Sequence, residues 1–201
     1  MGDVTIRPAN EASPEDIQVV FGTRGSACDC QCQRYKLARG EAFGKFPVEE
    51  RRRRLEEQTG AGDPDAEATS GLLAYLDGEP VGWCAVEPRA NYHGMARNQK
   101  VPWAGRTEDK SDPSIWAITC VFTRTGFRGK GIADALAAAA VEHARAGRAA
   151  AVEAYPILTT PGARITWDEI HPGTPQMYAA AGLVEVAHPF PRRLVMRRDF
   201  P

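Results

Sequence analysis

The spacing of apolar and polar residues predicts an ordered series of strands and helices. "DVTIRPAN" alternates between the two kinds of residue, which is typical of an opening strand. "SPEDIQVVFG" predicts a short amphipathic helix, because Ser13 suits the N-cap and Pro14 the first helical position. "LLAYLDGEPVGWCAVEPR" places two apolar runs around Asp77-Gly78, which predicts a β-hairpin.

The second half of the chain continues this alternation of strand and helix patterns. "SIWAITCVFT" is apolar on both faces, as a central strand would be. Apolar residues then recur at helical spacing from Ile132 to His143, and Gly147 suits the end of that helix. "AAAVEAYPIL" predicts a strand, "TPQMYAAAG" a two-turn helix capped by Thr174, and "LVEVA" with "RLVMRRDF" a final strand pair. The polar stretch Asn91–Pro113 is more typical of a functional or mobile insertion than of a core.

Length and charge limit the class of protein. A chain of 201 residues can bury a real core, and we expect a single domain over residues 1–201. The net charge of -1 gives no overall positive field, so we expect no nucleic-acid partner. The basic run Arg51–Arg54 lies between pairs of glutamates, and Pro47 can open a helix there. A solvated, salt-bridged helix fits this run better than a nucleic-acid patch.

Targeting signals and cysteine usage bear on the compartment. No window approaches the ~18 apolar residues of a spanning helix, and Met1–Pro14 lacks the apolar core of a signal peptide. The five cysteines are an odd number, which favours reduced thiols over a disulfide framework. We therefore expect a cytoplasmic protein with no membrane partner.

Three of the cysteines alternate in "CDCQC", so Cys28, Cys30 and Cys32 would share one side of an extended segment. Zinc needs a fourth ligand and usually has two to four residues between paired ligands. The sequence offers no second cysteine or histidine pair with that spacing, so we predict no metal site. The segment is better interpreted as lining for a core or a pocket.

A glycine-rich basic turn, in "CVFTRTGFRGKGIADAL", links the central strand to the long helix. Its glycines follow neither the P-loop spacing nor the G-x-G-x-x-G dinucleotide fingerprint. Backbone N–H groups at Gly129 and Gly131 and the positive end of the helix could still hold an anion, with Arg128 and Lys130 adding charge. The alternative is an exposed turn whose basic residues only solubilise it.

The same stretch resembles motif A of the GCN5-related N-acetyltransferases (GNAT), whose signature is Arg/Gln-x-x-Gly-x-Gly/Ala. Arg128, Gly131 and Ala133 occupy its three places. The resemblance covers about Leu72 to about Phe200, which is most of the fold.

A second stretch, "GTPQMYAAAGLVEV", is similar to the family's late helix, which carries a tyrosine before a Gly-hydrophobic pair. Tyr178 and Gly182-Leu183 match that pattern. The resemblance implies an α/β fold with a mixed, mostly antiparallel sheet flanked by helices and splayed at its central strands. Pro156 in "YPILTT" fits the splayed partner strand, because proline cannot donate a ladder hydrogen bond.

The resemblance also implies acetyl-CoA as the acetyl donor. Its pyrophosphate would lie on the motif A turn, and its pantetheine arm would pair with the end of the preceding strand. The cofactor-binding residues implied in this way are Cys120, Val121, Phe122, Thr123, Arg128, Gly129, Lys130, Gly131, Ile132 and Ala133.

Acetyl transfer to an amine needs a base, an oxyanion donor and an acid for the leaving thiolate. Backbone N–H near Val121 could serve the oxyanion. Tyr178 is our candidate acid, the alternative being a tyrosine that only packs its ring. For the base we name Glu153, which would share a strand face with Tyr155, and Glu87 as a second candidate.

Other groups could be the base instead: Asp168, Glu169 and His171 precede Tyr178, and a water chain could serve. Any of these carboxylates could also be a plain surface group. The sequence does not choose among them.

The acceptor is the least constrained part of this hypothesis. A small-molecule amine and a protein lysine both fit, and "CDCQCQRY" with Tyr92, His93 and Trp103 are candidate walls. We expect direct attack rather than an acetyl intermediate on Cys120. The alternatives kept open are a non-catalytic acetyl-CoA sensor, in place of the enzyme, and a homodimer.

Overall fold

The computed structural model describes residues 2–98, 100–159 and 166–201. In this part of the chain seven strands form one sheet, in the order β1-β2-β3-β4-β5-β7-β6. The strands are β1 (Val4–Pro8), β2 (Gly71–Leu76), β3 (Glu79–Pro88), β4 (Ile115–Thr123), β5 (Ala151–Ala154), β6 (Val184–Phe190) and β7 (Arg193–Asp199).

The helices lie on both sides of this sheet. They are α1 (Pro14–Phe21), α2 (Ser26–Cys30), α3 (Val48–Thr59), α4 (His93–Asn98), α5 (Ile132–Ala146), α6 (Trp167–Ile170) and α7 (Pro175–Ala180). Short 3-10 turns cover Ala9–Glu11, Gln33–Tyr35, Phe43–Lys45 and Arg89–Asn91. None of the helices described combines the length and apolar character that crossing a bilayer requires.

The pairing of the strands confirms a mixed, mostly antiparallel sheet. Neighbouring strands run antiparallel except β4 and β5, which are parallel. The β2–β3 hairpin turns at Asp77 and Gly78, whose φ values of 51° and 84° match the positive-φ turn predicted there.

Local signals place the helices where the sequence predicts them. The Ser13 hydroxyl accepts the backbone N–H of Asp16 at 3.0 Å, and Thr174 caps α7 in the same way through Met177. The arginine run lies in α3, where Arg53 pairs with Glu50 and Glu57.

The core has a layer on each face of the sheet. On one face α5 packs against residues such as Ile118 and Val121. On the other face α1 packs against Trp83, Cys120 and Phe122. Successive side chains near the end of β4 therefore pack into different core layers, on opposite faces of the sheet.

Three expectations are corrected by the structure. The stretch after β3 is not outside the core, because Tyr92 and Met95 are buried in a cluster with Tyr155. The alternating cysteines are not extended, since Cys28 and Cys30 lie in α2. β5 stops at Ala154, shorter than the apolar run that predicts it.

Candidate active site

The central strands β4 and β5 pair along only part of β4. Their parallel register joins Ile115–Ile118 to Ala151–Ala154 and ends there, whereas β4 continues to Thr123. Past Ala154 the chain reaches Pro156, which has no N–H to donate. Residues 119–123 (the β4 arm) and 155–157 (the β5 arm) thus diverge, which is the splay that the resemblance implies.

Backbone groups of His171–Gly173, which we name the bridging segment, join the two arms. The Val121 N–H donates to the His171 carbonyl oxygen at 2.8 Å, and the Ile157 N–H donates to the Gly173 carbonyl oxygen at 3.1 Å. Val121, the expected oxyanion donor, therefore has its N–H engaged by the protein itself in this structure.

The glycine-rich turn between β4 and α5 has the geometry of an anion site. Gly126, Gly129 and Gly131 have φ values of 94°, 75° and 75°, a region that favours glycine. A Cβ built on any of them meets nothing within 4 Å, so the turn backbone borders open space. The N-terminus of α5, which is 15 residues long, follows the turn directly and adds its positive dipole end.

A cavity of about 370 Å³ lies between the end of β4, this turn and the bridging segment. Eight of the ten residues expected to bind the cofactor line it: Val121, Phe122, Thr123, Arg128, Gly129, Gly131, Ile132 and Ala133. The other two lie elsewhere. Cys120 is buried on the opposite face of the sheet, and Lys130 is exposed with its ammonium 5.5 Å from the Phe127 ring.

A second cavity, of about 500 Å³, lies between residues 19–27 and the same strand end. It shares Phe122, Thr123 and Arg128 with the first cavity. The end of β4 is therefore reached from two directions.

Tyr178 lies behind the cavity wall rather than on it. Its side chain is fully buried, and its hydroxyl donates to the Pro172 carbonyl oxygen at 2.9 Å. Burial raises the pKa of Tyr178 well above its ordinary value. In this structure the hydroxyl therefore holds the bridging segment.

Glu153, a candidate base, is the centre of a buried ion-pair network. Arg89 and Arg197 each donate to its carboxylate at 3.1 Å, Arg106 forms a further ion pair, and the Tyr155 hydroxyl donates at 3.0 Å. The Tyr155 hydroxyl reaches Glu153 from just past the end of β5 at Ala154, so the two residues do not share a strand face as expected. Glu153 is held within the protein by these three guanidinium groups and lines neither cavity at the end of β4, which argues against Glu153 as the base.

The other candidate carboxylates are also engaged. Glu87 is buried in an ion pair with Lys36 and accepts a hydrogen bond from Asn91 at 2.9 Å. Glu169 accepts the Thr166 N–H at 3.1 Å and lies 3.5 Å from Arg192. The side chain of Asp168 lies outside the described residues.

His171 is the candidate base that borders the cavity. It is buried, with 8% of its surface exposed, and its Nε2 lies 3.4 Å from the Tyr35 hydroxyl. His171 therefore lies beside Val121 of the β4 arm and Tyr35, where the two arms diverge.

Sequence reasoning missed Tyr35 and Arg193 as individual residues. Tyr35 lies within the segment predicted as a wall, and Arg193 begins β7 beside Ile157 of the β5 arm. No pattern in "PRRLVMRRDF" distinguishes Arg193 from Arg192, because their difference arises only from the fold.

Two of the cysteines contact each other at the β4 arm. Cys120 has Cys32 as a hydrogen-bond neighbour, and the Trp83 indole N–H points to the Cys32 sulfur at 3.2 Å. The contact with Cys32 and burial raise the pKa of Cys120, so its thiol stays protonated at neutral pH. All five cysteines are free, and no cluster of three metal-ligating side chains occurs among the described residues.

The aromatic residues expected to line the acceptor site pack inward instead. Tyr92 and Trp103 are 1% and 8% exposed, and the Arg89 guanidinium lies 4.9 Å from the Trp103 ring. His93 is exposed at a separate cavity of about 630 Å³, which Lys36 and Glu87 also line. Neither Tyr92 nor Trp103 offers an open wall in this structure.

Solved structures share this architecture at low sequence identity. A GCN5-related N-acetyltransferase from Kribbella flavida is 14% identical with a TM-score of 0.53, each chain being covered to 98%. An N-acetyltransferase from Staphylococcus aureus Mu50 is 13% identical with a TM-score of 0.52, again with 98% of each chain covered. A ribosomal-protein-alanine N-acetyltransferase from Brucella melitensis is 18% identical with a TM-score of 0.50, over 98% of this chain and 99% of that one.

Family-level comparison agrees with this likeness of fold. No curated protein sequence matches the chain. The sequence model described as the acetyltransferase (GNAT) family matches residues 33–163, well over half of the chain. That range contains the splay at β4 and the glycine-rich turn. The chain therefore belongs to the GNAT family of acetyltransferases.

Proposed function

We propose that this acetyltransferase transfers the acetyl group of acetyl-CoA directly to a primary amine, in a ternary complex. The observation that carries the proposal is the cavity at the end of β4, whose walls contain eight of the ten residues expected to bind the donor. Acetyl-CoA supplies the activated acetyl group when it is bound.

The donor's pyrophosphate fits the glycine-rich turn. The backbone at Gly129 and Gly131 borders open space, and Arg128 lines the same cavity. Guanidinium and backbone N–H groups at a helix N-terminus are a suitable combination for phosphate oxygens. Lys130, which is exposed, adds positive charge nearby.

The β4 arm would hold the amide-bearing arm of the donor. Val121 presents its N–H into the splay, where the His171 carbonyl oxygen now accepts it. A carbonyl of similar strength could replace that partner without leaving the N–H unsatisfied. Binding in the splay would then be an exchange of hydrogen-bond partners.

Proton transfer is assigned to two residues of the same region. His171 takes the proton of the attacking amine, because a neutral imidazole is the most common general base of enzymes near neutral pH. Tyr178 donates a proton to the leaving thiolate once its hydroxyl leaves the Pro172 carbonyl. The Tyr178 step needs the bridging segment to shift, because its hydroxyl is bonded to Pro172 in that segment.

A second candidate function is a non-catalytic acetyl-CoA sensor. One observation favours it: both the Val121 N–H and the Tyr178 hydroxyl are engaged by the bridging segment. Tight acetyl-CoA binding with no acetylated product across a broad amine panel would establish the sensor instead of the enzyme.

The experiment that tests the enzyme is a thiol-release assay with acetyl-CoA and a panel of polyamines, amine antibiotics, amino acids and lysine peptides. Calorimetric titration with acetyl-CoA accompanies it. Arg128→Gln should weaken donor binding about tenfold, since a hydrogen bond to a charged group contributes about 1.5–3 kcal/mol. Arg145→Gln is the matched control, because Arg145 is an exposed residue of α5 paired with Glu142. No acetyl-CoA binding by the unaltered protein would refute the proposal.

Location and self-association complete the proposal. Five free cysteines suit a reducing compartment, and we infer the cytoplasm.

The edge strand β6 exposes three large apolar side chains, those of Val184, Val186 and Phe190. We therefore propose β6 as the candidate homodimer surface.

A further inference from the structure

Arg193 is a half-buried cation for which the described residues provide no carboxylate. Its guanidinium donates to the Tyr155 carbonyl oxygen at 3.0 Å, and its Nε is buried without a hydrogen-bond partner among those residues. Burial lowers the pKa of Arg193, while the neighbouring Tyr35 opposes that effect. Removing a cation from water is costly unless an anion accompanies it.

Nearby arginines differ from Arg193 in this respect. Arg197, on the same strand, lies 3.1 Å from the Glu153 carboxylate. Arg192, the preceding residue, lies 3.5 Å from Glu169. Both of these arginines thus have a carboxylate partner, whereas none of the carboxylates in the described part of the chain pairs with Arg193.

Arg193 and the candidate base His171 share Tyr35 as a neighbour. Tyr35 contacts Arg193 and also lies 3.4 Å from the His171 Nε2. The donor cavity is lined by α5 residues such as Ile132 and Ala133 and by His171, whereas Tyr35 and Arg193 are not among its lining residues. A molecule between Tyr35 and the β4 arm would therefore meet His171 and the Arg193 guanidinium together.

We propose that Arg193 binds the carboxylate of the acceptor, so that the acceptor class is a small molecule carrying both a primary amine and a carboxylate, as a free amino acid does. This inference rests on the proposed acetyl transfer. The planar guanidinium group matches a carboxylate in two parallel hydrogen bonds. Arg34 is exposed and adds a second positive charge near Tyr35.

The test compares each amino acid with its own carboxamide, which keeps the side chain and the amine but lacks the negative charge. The unaltered protein should use the acids with a kcat/KM about 10- to 100-fold higher than the amides, the size expected for a charge-assisted pair. Arg193→Gln should abolish that preference by raising KM for the acids, with kcat for the amides unchanged. Arg193→Lys should retain part of it.

Arg192→Gln is the matched control and should behave as the unaltered protein. Equal use of acids and amides by the unaltered protein would overturn the inference while leaving acetyl transfer intact. An equal loss on both substrate types in a folded Arg193→Gln variant would also overturn it, because that result indicates a structural role.

A readout without turnover separates this inference from the proposed function. N-acetyl amino acids should bind the CoA-loaded protein in calorimetry, and the Arg193→Gln variant should bind them at least tenfold more weakly. Absence of thiol release with every acceptor, despite acetyl-CoA binding, would refute the proposed function. Absence of N-acetyl amino acid binding to the unaltered protein would refute the role of Arg193.

Discussion

The Tyr178 hydroxyl donates a hydrogen bond to the carbonyl oxygen of Pro172, 2.9 Å away, inside the protein. One residue thus connects α7 to the segment that joins the two arms of the splay. Its two roles, holding Pro172 and supplying a proton, can be separated by experiment.

Tyr178→Phe should lower kcat by about 10²–10⁴-fold, because general acid catalysis contributes about that much. It should also lower the free energy of unfolding by about 1–3 kcal/mol, since the Pro172 carbonyl loses a buried donor. Steady-state kinetics and urea denaturation measure the two effects. An unchanged kcat would remove Tyr178 from the proposed mechanism.

Gly173→Ala should destabilise the bridging segment. Gly173 has a φ of 84°, and an added Cβ would lie 2.5 Å from Met177 Cε and 2.8 Å from Tyr178 Cε2. We expect a loss of about 2–4 kcal/mol in unfolding free energy, from backbone strain and overpacking together.

Gly105→Ala is the matched control for that change, because Gly105 has a φ of 75° but nothing within 4 Å of an added Cβ. Gly105→Ala should lower the free energy of unfolding only by the cost of the left-handed backbone conformation, about 1–2 kcal/mol. Equal losses for the two variants in urea denaturation would show that Gly173 is not tightly packed.

His171→Gln should lower kcat by about 10²–10⁴-fold and remove the rise of kcat/KM with pH that a neutral base produces. The Glu169→Gln variant should keep that profile, because Glu169 is paired with Thr166 and Arg192 away from the splay. The profile is measured from about pH 5 to 9 with the best acceptor of the panel. If kcat/KM of the His171→Gln variant still rises with pH as in the unaltered protein, the base is another group.

Cys120→Ala should retain turnover within about threefold, because a thiol whose pKa is raised is a weak nucleophile at neutral pH. Cys84→Ala serves as the control, since Cys84 is buried on the α5 face. Complete loss of activity in Cys120→Ala alone, with acetyl-CoA binding intact, would instead establish an acetyl-cysteine route.

Alkaline pH should unfold the protein through its tyrosines. Burial, followed by the hydrogen bond to Asp16, raises the pKa of Tyr75 to about 12. A group whose folded pKa is raised stabilises the fold fully below its unfolded pKa, here ~10. That stability is lost as the pH rises from there through 12.

Unfolding free energy measured across that range should therefore fall with pH, and Tyr75→Phe should reduce the slope. Other buried tyrosines such as Tyr178 add to the fall in the same direction. A flat profile in the unaltered protein would contradict the prediction.

Much of this fold follows from local sequence signals, and much of the site does not. Ser13 and Thr174 cap helices by accepting the backbone N–H three residues later in the chain. A contact over so few residues can be predicted from the sequence alone. Glu153 lies on a strand, as its sequence pattern predicts, yet its ion-pair partners Arg89 and Arg106 are far away in the chain.

The same limit applies to residues that act through the bridging segment. The motif identifies Tyr178 but cannot show that its hydroxyl faces Pro172, since that requires the turn at Gly173. Arg193 could not be distinguished from Arg192, because it is the fold that pairs Arg192 with Glu169 and directs Arg193 to the Tyr155 carbonyl oxygen.

The short pairing of β4 with β5 has a consequence for stability. Within the described residues β4 pairs with β5 through Ile115–Ile118 alone, so the four-stranded N-terminal part of the sheet and its three-stranded C-terminal part share a narrow seam. A donor bound along the β4 arm beside the bridging segment would reinforce that seam. Its binding free energy would then add to the free energy of unfolding by mass action, and the acetyl-CoA level would set how firmly the two parts of the sheet remain joined.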